Sequence, residues 1–410
     1  MHSSRGWARR GVARGSSGRT EDAVRLRGAG APPAPADAFA TRRMPPGVRV
    51  RVCLARGRSA TYHCAVGGPT TRIEQSLAPV DACPVCGSPR AAPFDSARDT
   101  LADEINRYLP PGVAPLEQVT NNRRRCGGCG LVYLDPRLDS RSLSRLYELW
   151  YGYAYRRIFQ DDRHIAERRR EFERHHLRTL DRAAPEAGTL LDVGCGSGIF
   201  LAVAARSGWR GVGVEFDPAT AASGRLAYGV DIRCGTLAQT IADDERFDAI
   251  TLFDYLEHSA VPGEDLSLLA ARLAPGGVML VRVPNQGGWQ ARWMGARWVN
   301  VISNHLSYFE PQVLAGALRK RGLQIVSVRA GNYRSEWQIV RGHWHWLGQR
   351  LGATVGAPGG TSPADGATLR PSAAPGALSR YLNSVFVEQI DHVGGWFGRG
   401  NNLMVVARRP

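Results

Sequence analysis

The chain predicts an α/β fold built on a doubly wound, Rossmann-like parallel sheet. Three observations predict it. From Thr189 onward short apolar runs alternate with helical stretches, a glycine-rich turn joins the first run to its helix, and two CxxC pairs stand upstream of the whole array. Strands separated by helices of that length imply βαβ units with right-handed crossovers.

Taken in order, residues 1–70 mix Arg, Gly, Ser, Ala and Pro with little apolar periodicity, so the expectation is a disordered tail. Met44 is an alternative start. The net charge of +16 over 410 residues is concentrated there: residues 1–60 carry 13 Arg against 3 acidic residues. Charge concentrated in a tail and carried by Arg in an Ala/Gly/Pro-rich chain, in which Lys320 is the single lysine, does not mark a nucleic-acid surface. No run of eighteen apolar residues and no secretory leader stands out, so a soluble, cytoplasmic protein with no transmembrane segment is expected.

Residues 80–135 contain Cys83-Pro84-Val85-Cys86-Gly87 and Cys126-Gly127-Gly128-Cys129-Gly130. Four thiolates suit tetrahedral zinc, and the trailing glycines permit the turns that aim amides at sulfur. The ligand set is therefore Cys83, Cys86, Cys126 and Cys129 around a structural zinc, with two redox CxxC units as the alternative. Arg123-Arg124-Arg125 precede the second pair, but the segment lacks the basic and aromatic interleaving of a nucleic-acid binder.

Residues 136–188 predict a helical connector. Asp139-Ser140 open a helix carrying Leu143, Leu146, Tyr147 and Trp150, and a charge-laced helix follows from about Arg157 to Leu180. The sheet domain then spans 189–410, with strands at Leu190–Val193, Val212–Glu215, Val230–Ile232, Ala249–Phe253, Val278–Val281 and Ile325–Val328. A Gly/Pro/Ala-rich insertion near 352–376 reads as a loop. An apolar stripe from Leu382 to Val393 reads as packing or a lid, and Asn402–Val406 as a strand closing the sheet.

Asp192-Val193-Gly194-Cys195-Gly196-Ser197-Gly198 runs from strand to helix, where glycines allow positive φ and close backbone approach to a ligand at a helix N-terminus. A dinucleotide fingerprint needs glycine where Ile199 or Leu201 stands, which leaves a nicotinamide- or flavin-dependent oxidoreductase as the alternative. Glu215 ends the next strand seventeen residues past Gly198, placed to accept from both ribose hydroxyls; capping the following helix is its other reading.

These segments, with Phe247-Asp248-Ala249-Ile250 and Leu273-Ala274-Pro275-Gly276-Gly277, resemble the ordered motifs of class I S-adenosylmethionine-dependent methyltransferases over residues 189 to about 330. The resemblance implies a methyltransferase sheet using S-adenosylmethionine. It places Asp192, Gly194, Gly196 and Gly198 by the methionine moiety, Glu215 on the ribose, Phe216 beside adenine, and Phe253 and Asp254 at the border. Thr236 takes the adenine-side position where many relatives carry an acidic residue. The cysteine module and Gly130–Pro136 together resemble the bacterial deoxysugar C-methyltransferase group, which implies a sugar or a natural-product or envelope-glycan intermediate as acceptor.

Open α/β sheets bind ligands beyond the strand carboxyl ends, which points to Tyr255-Leu256-Glu257-His258 and to the Trp-rich loop ending in Asn304-His305. His305 is the expected general base and His258 its rival. By the resemblance His305 matches a catalytic histidine, and Asn304 replaces the glutamate that precedes it. Tyr151, Tyr153 and Tyr155 could reach the same cleft, although a core or surface role is the expectation for any one of them. A non-catalytic zinc module on a degenerate methyltransferase core is the third reading. Acceptor atom and oligomeric state are not encoded in any motif.

Overall fold

A computed structural model of the protein describes residues 73–155, 162–184, 186–331 and 399–410, without the Arg163 side chain. The expected tail at 1–70, the 352–376 insertion and the 382–393 stripe lie outside the described residues.

The N-terminal part carries β1 (Leu77–Ala78), β2 (Ala91–Arg98), α1 (Leu101–Asn106), β3 (Thr120–Cys126), β4 (Val132–Leu134) and β5 (Arg137–Leu138). Helix α2 (Ser140–Leu149) is capped by Asp139, whose side chain accepts from the Ser142 amide, and runs into a π-helical turn at Trp150–Tyr155. Helix α3 (Asp162–Glu171), a second π-helical turn (Phe172–Leu177) and α4 (Arg178–Ala183) complete the connector. The expected second helix is thus two α segments around a π turn.

The sheet domain continues with β6 (Thr189–Val193), α5 (Ile199–Ala205), β7 (Arg210–Glu215), α6 (Pro218–Tyr228), β8 (Asp231–Cys234), α7 (Leu237–Thr240), β9 (Phe247–Phe253), α8 (Pro262–Arg272) and β10 (Leu273–Pro284). Then come α9 (Trp289–Met294), β11 (Ser307–Tyr308), α10 (Pro311–Arg319), β12 (Gln324–Gly331) and β13 (Asn402–Arg408). Seven strands order as β12-β13-β10-β9-β6-β7-β8. All neighbours from β10 to β8 are parallel, and β13 is antiparallel to both β10 and β12. The chain order reverses between β6 and β9, the switch point where such sheets bind ligands.

Alternation along the strands divides the core. Leu191, Val193, Ile250, Leu252, Met279 and Val281 face one layer, which includes Leu266, Leu269, Leu314 and Leu318. Leu190, Ala249, Val278 and Leu280 face the other, against Phe172, Leu180, Phe200 and Val203. Residues two apart on a strand share a face, so each apolar run serves both layers.

The module and the sheet domain interlock. Strand β11 pairs antiparallel with β4, making a four-stranded sheet β11-β4-β3-β2. The segment between the Cys pairs buries Leu101, Ile105 and Leu116 against Leu138, Leu146 and Leu149. That use explains its length of 39 residues.

Candidate active site

The glycine turn adopts the backbone its sequence requires. Gly194, Gly196 and Gly198 have φ of 68°, 56° and 75°. A Cβ at Gly198 would come within 2.7 Å of Val230, and one at Gly194 within 2.9 Å of the Tyr255 ring. Conformation and space both demand glycine here. Glu215 is buried; its Oε2 accepts from the Gly196 amide at 2.9 Å and its Oε1 from Asp217 at 2.8 Å. Burial raises its carboxyl above the ordinary range. Helix α6 is capped by Asp217 rather than Glu215, since the Asp217 side chain accepts from Thr220 at 2.7 Å. Glu215 is thus not the N-cap of α6, although its Oε1 accepts from the N-cap's own amide.

Asp192 is buried and accepts from Thr251 Oγ1 at 2.6 Å; burial pushes its carboxyl up to about 7 against that hydrogen bond. Phe216 lies open beside Glu215, 59% exposed. Thr236 caps α7 in a reciprocal box with Gln239.

Phe253 departs from its expected place. Its ring is buried against Phe172, His176 and Phe200, with centroids 6.2, 4.5 and 4.9 Å away, so it packs the core while its backbone leads to Asp254. Asp254 holds a positive φ of 57° and pairs with Arg282 through both oxygens and with Arg168 at 3.1 Å. Burial opposes its ionisation, yet the two guanidinium groups hold its carboxyl well below the usual range. Arg282 also donates to Glu171 at 2.5 Å and to His176 Nε2 at 2.7 Å. A buried ionic network therefore ties the connector to β9 and β10.

The tyrosines of the connector run from the glycine turn toward His258. Tyr147, Tyr151 and Tyr155 recur every fourth residue, and their rings lie 6.2 and 5.1 Å apart in succession. The Tyr155 hydroxyl would meet a Cβ at Gly196 at 3.7 Å, and the Tyr147 hydroxyl lies 3.4 Å from His258 Nδ1. Tyr151 and Tyr155 thus reach the site, whereas Tyr153 packs in the connector core.

His258 and His305 meet edge to face, with centroids 4.7 Å apart. Each Nδ1 donates to a backbone carbonyl, His258 to Asn304 at 2.8 Å and His305 to Asn300 at 2.9 Å. Those bonds fix the tautomer and leave each Nε2 as the basic nitrogen. Burial lowers both imidazoles, and His305, with His258 beside it, falls to about 3. Glu257, expected beside His258 at the strand end but given no role there, joins them: side-chain atoms of Glu257, His258 and His305 lie within 4.8 Å of one another.

The four cysteines of the module also come together. Cys83 and Cys129 sulfurs are 3.6 Å apart, as are those of Cys86 and Cys126, and all four lie within 4.8 Å. Burial opposes ionisation of Cys126, but the Cys129 and Gly128 amides bring its thiol down to about 7. The three preceding arginines pair with Asp95, Asp135 and Glu310.

The family model of a methyltransferase domain matches residues 164–328. A ubiquinone biosynthesis O-methyltransferase of Caulobacter vibrioides is 38% identical over 26% of this chain and 44% of that one. One of Methylobacterium sp. is 28% identical over 41% of this chain and 74% of that one. One of Paramagnetospirillum magneticum is 30% identical over 39% of this chain and 70% of that one. The chain belongs to the class I S-adenosylmethionine-dependent methyltransferases. Matches to the Caulobacter relative and to one from Mycolicibacterium smegmatis span 44% and 48% of those proteins. In this methyltransferase the Trp-rich loop is divided: Trp298 is buried, donating to Gln290 at 2.9 Å and Asn401 at 3.0 Å, while Trp289 and Trp293 reach the surface. No helix among the described residues is long and apolar enough to cross a membrane.

Proposed function

We propose that the chain transfers a methyl group from S-adenosylmethionine to a small polar acceptor, a sugar or a natural-product or envelope-glycan intermediate, in the cytoplasm. The observation that carries this reading is the tyrosine ladder, which runs from the Gly196 turn to His258 and so joins a nucleoside cradle to a buried histidine pair. Bound S-adenosylmethionine supplies an electrophilic methyl on a sulfonium. Asp192, the three glycines and Glu215 hold it, Phe216 and Thr236 flank the adenine side, and Asp254 borders the cleft.

The reacting hydroxyl or acidic carbon loses its proton to His305, with His258 as rival. Positioning and water exclusion supply much of the rate in such transfers, and the ladder and ribbon provide both. O-methylation of a phenolic acceptor is a second reading, favoured by the named activity of the relatives. The Cys83, Cys86, Cys126 and Cys129 cluster fits a structural zinc, since four sulfurs close the tetrahedron and amides already point at Cys126. Residues 80–135 then form the ribbon, 136–188 the connector and 189–410 the transferase domain.

The test is transfer of a labelled methyl from S-adenosylmethionine into candidate sugars and phenols, followed by single-turnover rates for the active pair. Loss of rate in His305→Ala with cofactor affinity intact supports the assignment. A wild-type rate there, with none in His258→Ala, moves the role to His258.

A further inference from the structure

The resemblance puts a carboxylate immediately before the catalytic histidine, and this chain has Asn304 there. The deficit is chemical, because an amide carries no charge to offset an imidazolium. Asn304 also spends its backbone carbonyl on His258, and its Oδ1 is buried with no hydrogen-bond partner among the described residues.

A carboxylate nevertheless reaches the site from another loop. Glu257 is buried to 2% exposure, and its Oε2 has no hydrogen-bond partner among the described residues. An unpartnered buried carboxylate oxygen is costly unless function uses it. The backbone holds it in place: the Glu257 carbonyl accepts from the Leu306 amide at 2.7 Å and the Ser307 amide at 3.2 Å, clamping its loop to the segment that carries His305. Asp254, the other acid nearby, is already committed to Arg282 and Arg168.

We infer that Glu257 is the carboxylate partner of the His258–His305 pair, replacing from the loop after β9 the charge that Asn304 lacks. This rests on the proposed methyl transfer at the same cluster. As the acceptor O–H bond breaks, its proton goes to a histidine Nε2 and the oxygen bonds the methyl carbon; the S–CH3 bond breaks with its electrons on sulfur, leaving S-adenosylhomocysteine. Burial raises the Glu257 carboxyl above its ordinary range, so its charge is drawn out only as the imidazolium forms beside it. Glu257 positions and compensates and need not touch the acceptor.

The groups facing the pair are Glu257, the Tyr147 hydroxyl and the carbonyls of Asn300 and Asn304, with Asp254 and Arg282 beyond. Histidine NMR titration of the full chain, which needs no acceptor, therefore reads the partnership directly. The protonation midpoint of the pair should fall by one pH unit or more in E257Q and return toward wild type in E257D. Calorimetry with S-adenosylmethionine, alongside, reports the cofactor reading separately and should be unchanged. An unchanged midpoint in E257Q overturns the inference. So does a second tightly bound metal per chain that E257Q loses, because the trio would then be ligands. If E257Q fails to fold, the midpoint in E257D decides: one lowered as far as that of Glu257→Ala overturns it.

Discussion

The Gly196 amide donates to Glu215 Oε2 at 2.9 Å, so the carboxylate proposed to meet a ribose also fastens the turn beneath it. The two parts of the proposed cofactor cradle are one hydrogen-bonded unit. Replacing Glu215 by Ala should remove ligand contacts and loosen the turn together. Each charge-assisted hydrogen bond lost costs on the order of 1.5–3 kcal/mol, so S-adenosylmethionine affinity should fall at least tenfold. E215Q keeps an oxygen for Gly196 and should retain more of the melting temperature than of the affinity. Calorimetry and thermal melts on both variants check this, and wild-type affinity in Glu215→Ala would refute the assignment.

Asp192 carries a pH signature. Its carboxyl rises from an ordinary 3.8 to about 7 on folding, so the folded chain holds the proton more tightly than the unfolded chain. Stability from this group is full below the unfolded value and declines as pH climbs through about 7. D192N, which keeps an oxygen for Thr251, should melt higher than wild type at pH 8 by on the order of 1–4 kcal/mol, a gap that closes toward pH 4. Urea unfolding at the two pH values measures it, and equal stability at pH 8 counts against the buried-acid assignment.

Arg282 has the opposite character. Its guanidinium is buried and bonded to Asp254, Glu171 and His176, so Arg282→Ala leaves buried charges unpaired. Breaking such a cluster from one side costs about 3–5 kcal/mol. Asp254, held low by its arginines, contributes stability that disappears as pH falls below the ordinary carboxylate range. A chemical-denaturation loss under 1 kcal/mol would show that the network is solvated.

Zinc content should be one per chain and should vanish in Cys126→Ser. Strand β3 ends at Cys126, so losing the metal should disturb β3, β4 and then β11 next to His305, while β6 and β7 keep the cofactor cradle. Metal analysis paired with hydrogen exchange distinguishes this: protection lost at Val132–Leu134 and Ser307–Tyr308 but retained at Leu190–Val193 is the expected pattern.

The sheet from Thr189 was legible because its central strands β6, β9 and β10 carry apolar runs buried on both faces and the glycine turn needs three positive φ values that only glycine meets cheaply. The closing strand Asn402–Arg408 was legible for the same reason. Tyr147, Tyr151 and Tyr155 could have been read as one helix face from their spacing of four, but nothing local says what that face covers. Arg282 offered another unused signal, a lone charge inside the apolar run Val278–Val283, which has to find partners when buried. Glu257 stood in the expected segment after β9, but its meeting with His305 arises from tertiary contact between two loops and left no local signal. Strand β11 is two residues long, too short for any periodic signal, yet it decides where His305 sits.

That short strand also bears on how the chain is made. During synthesis β4 emerges with β2 and β3, but its outer edge has to wait for Ser307 and Tyr308, about 170 residues later, before its hydrogen bonds are taken up. Until then the nascent chain carries an open strand edge of the kind that pairs with the wrong neighbour. A fragment that ends before Ser307 keeps that exposure for good, because β4 then lacks its outer neighbour.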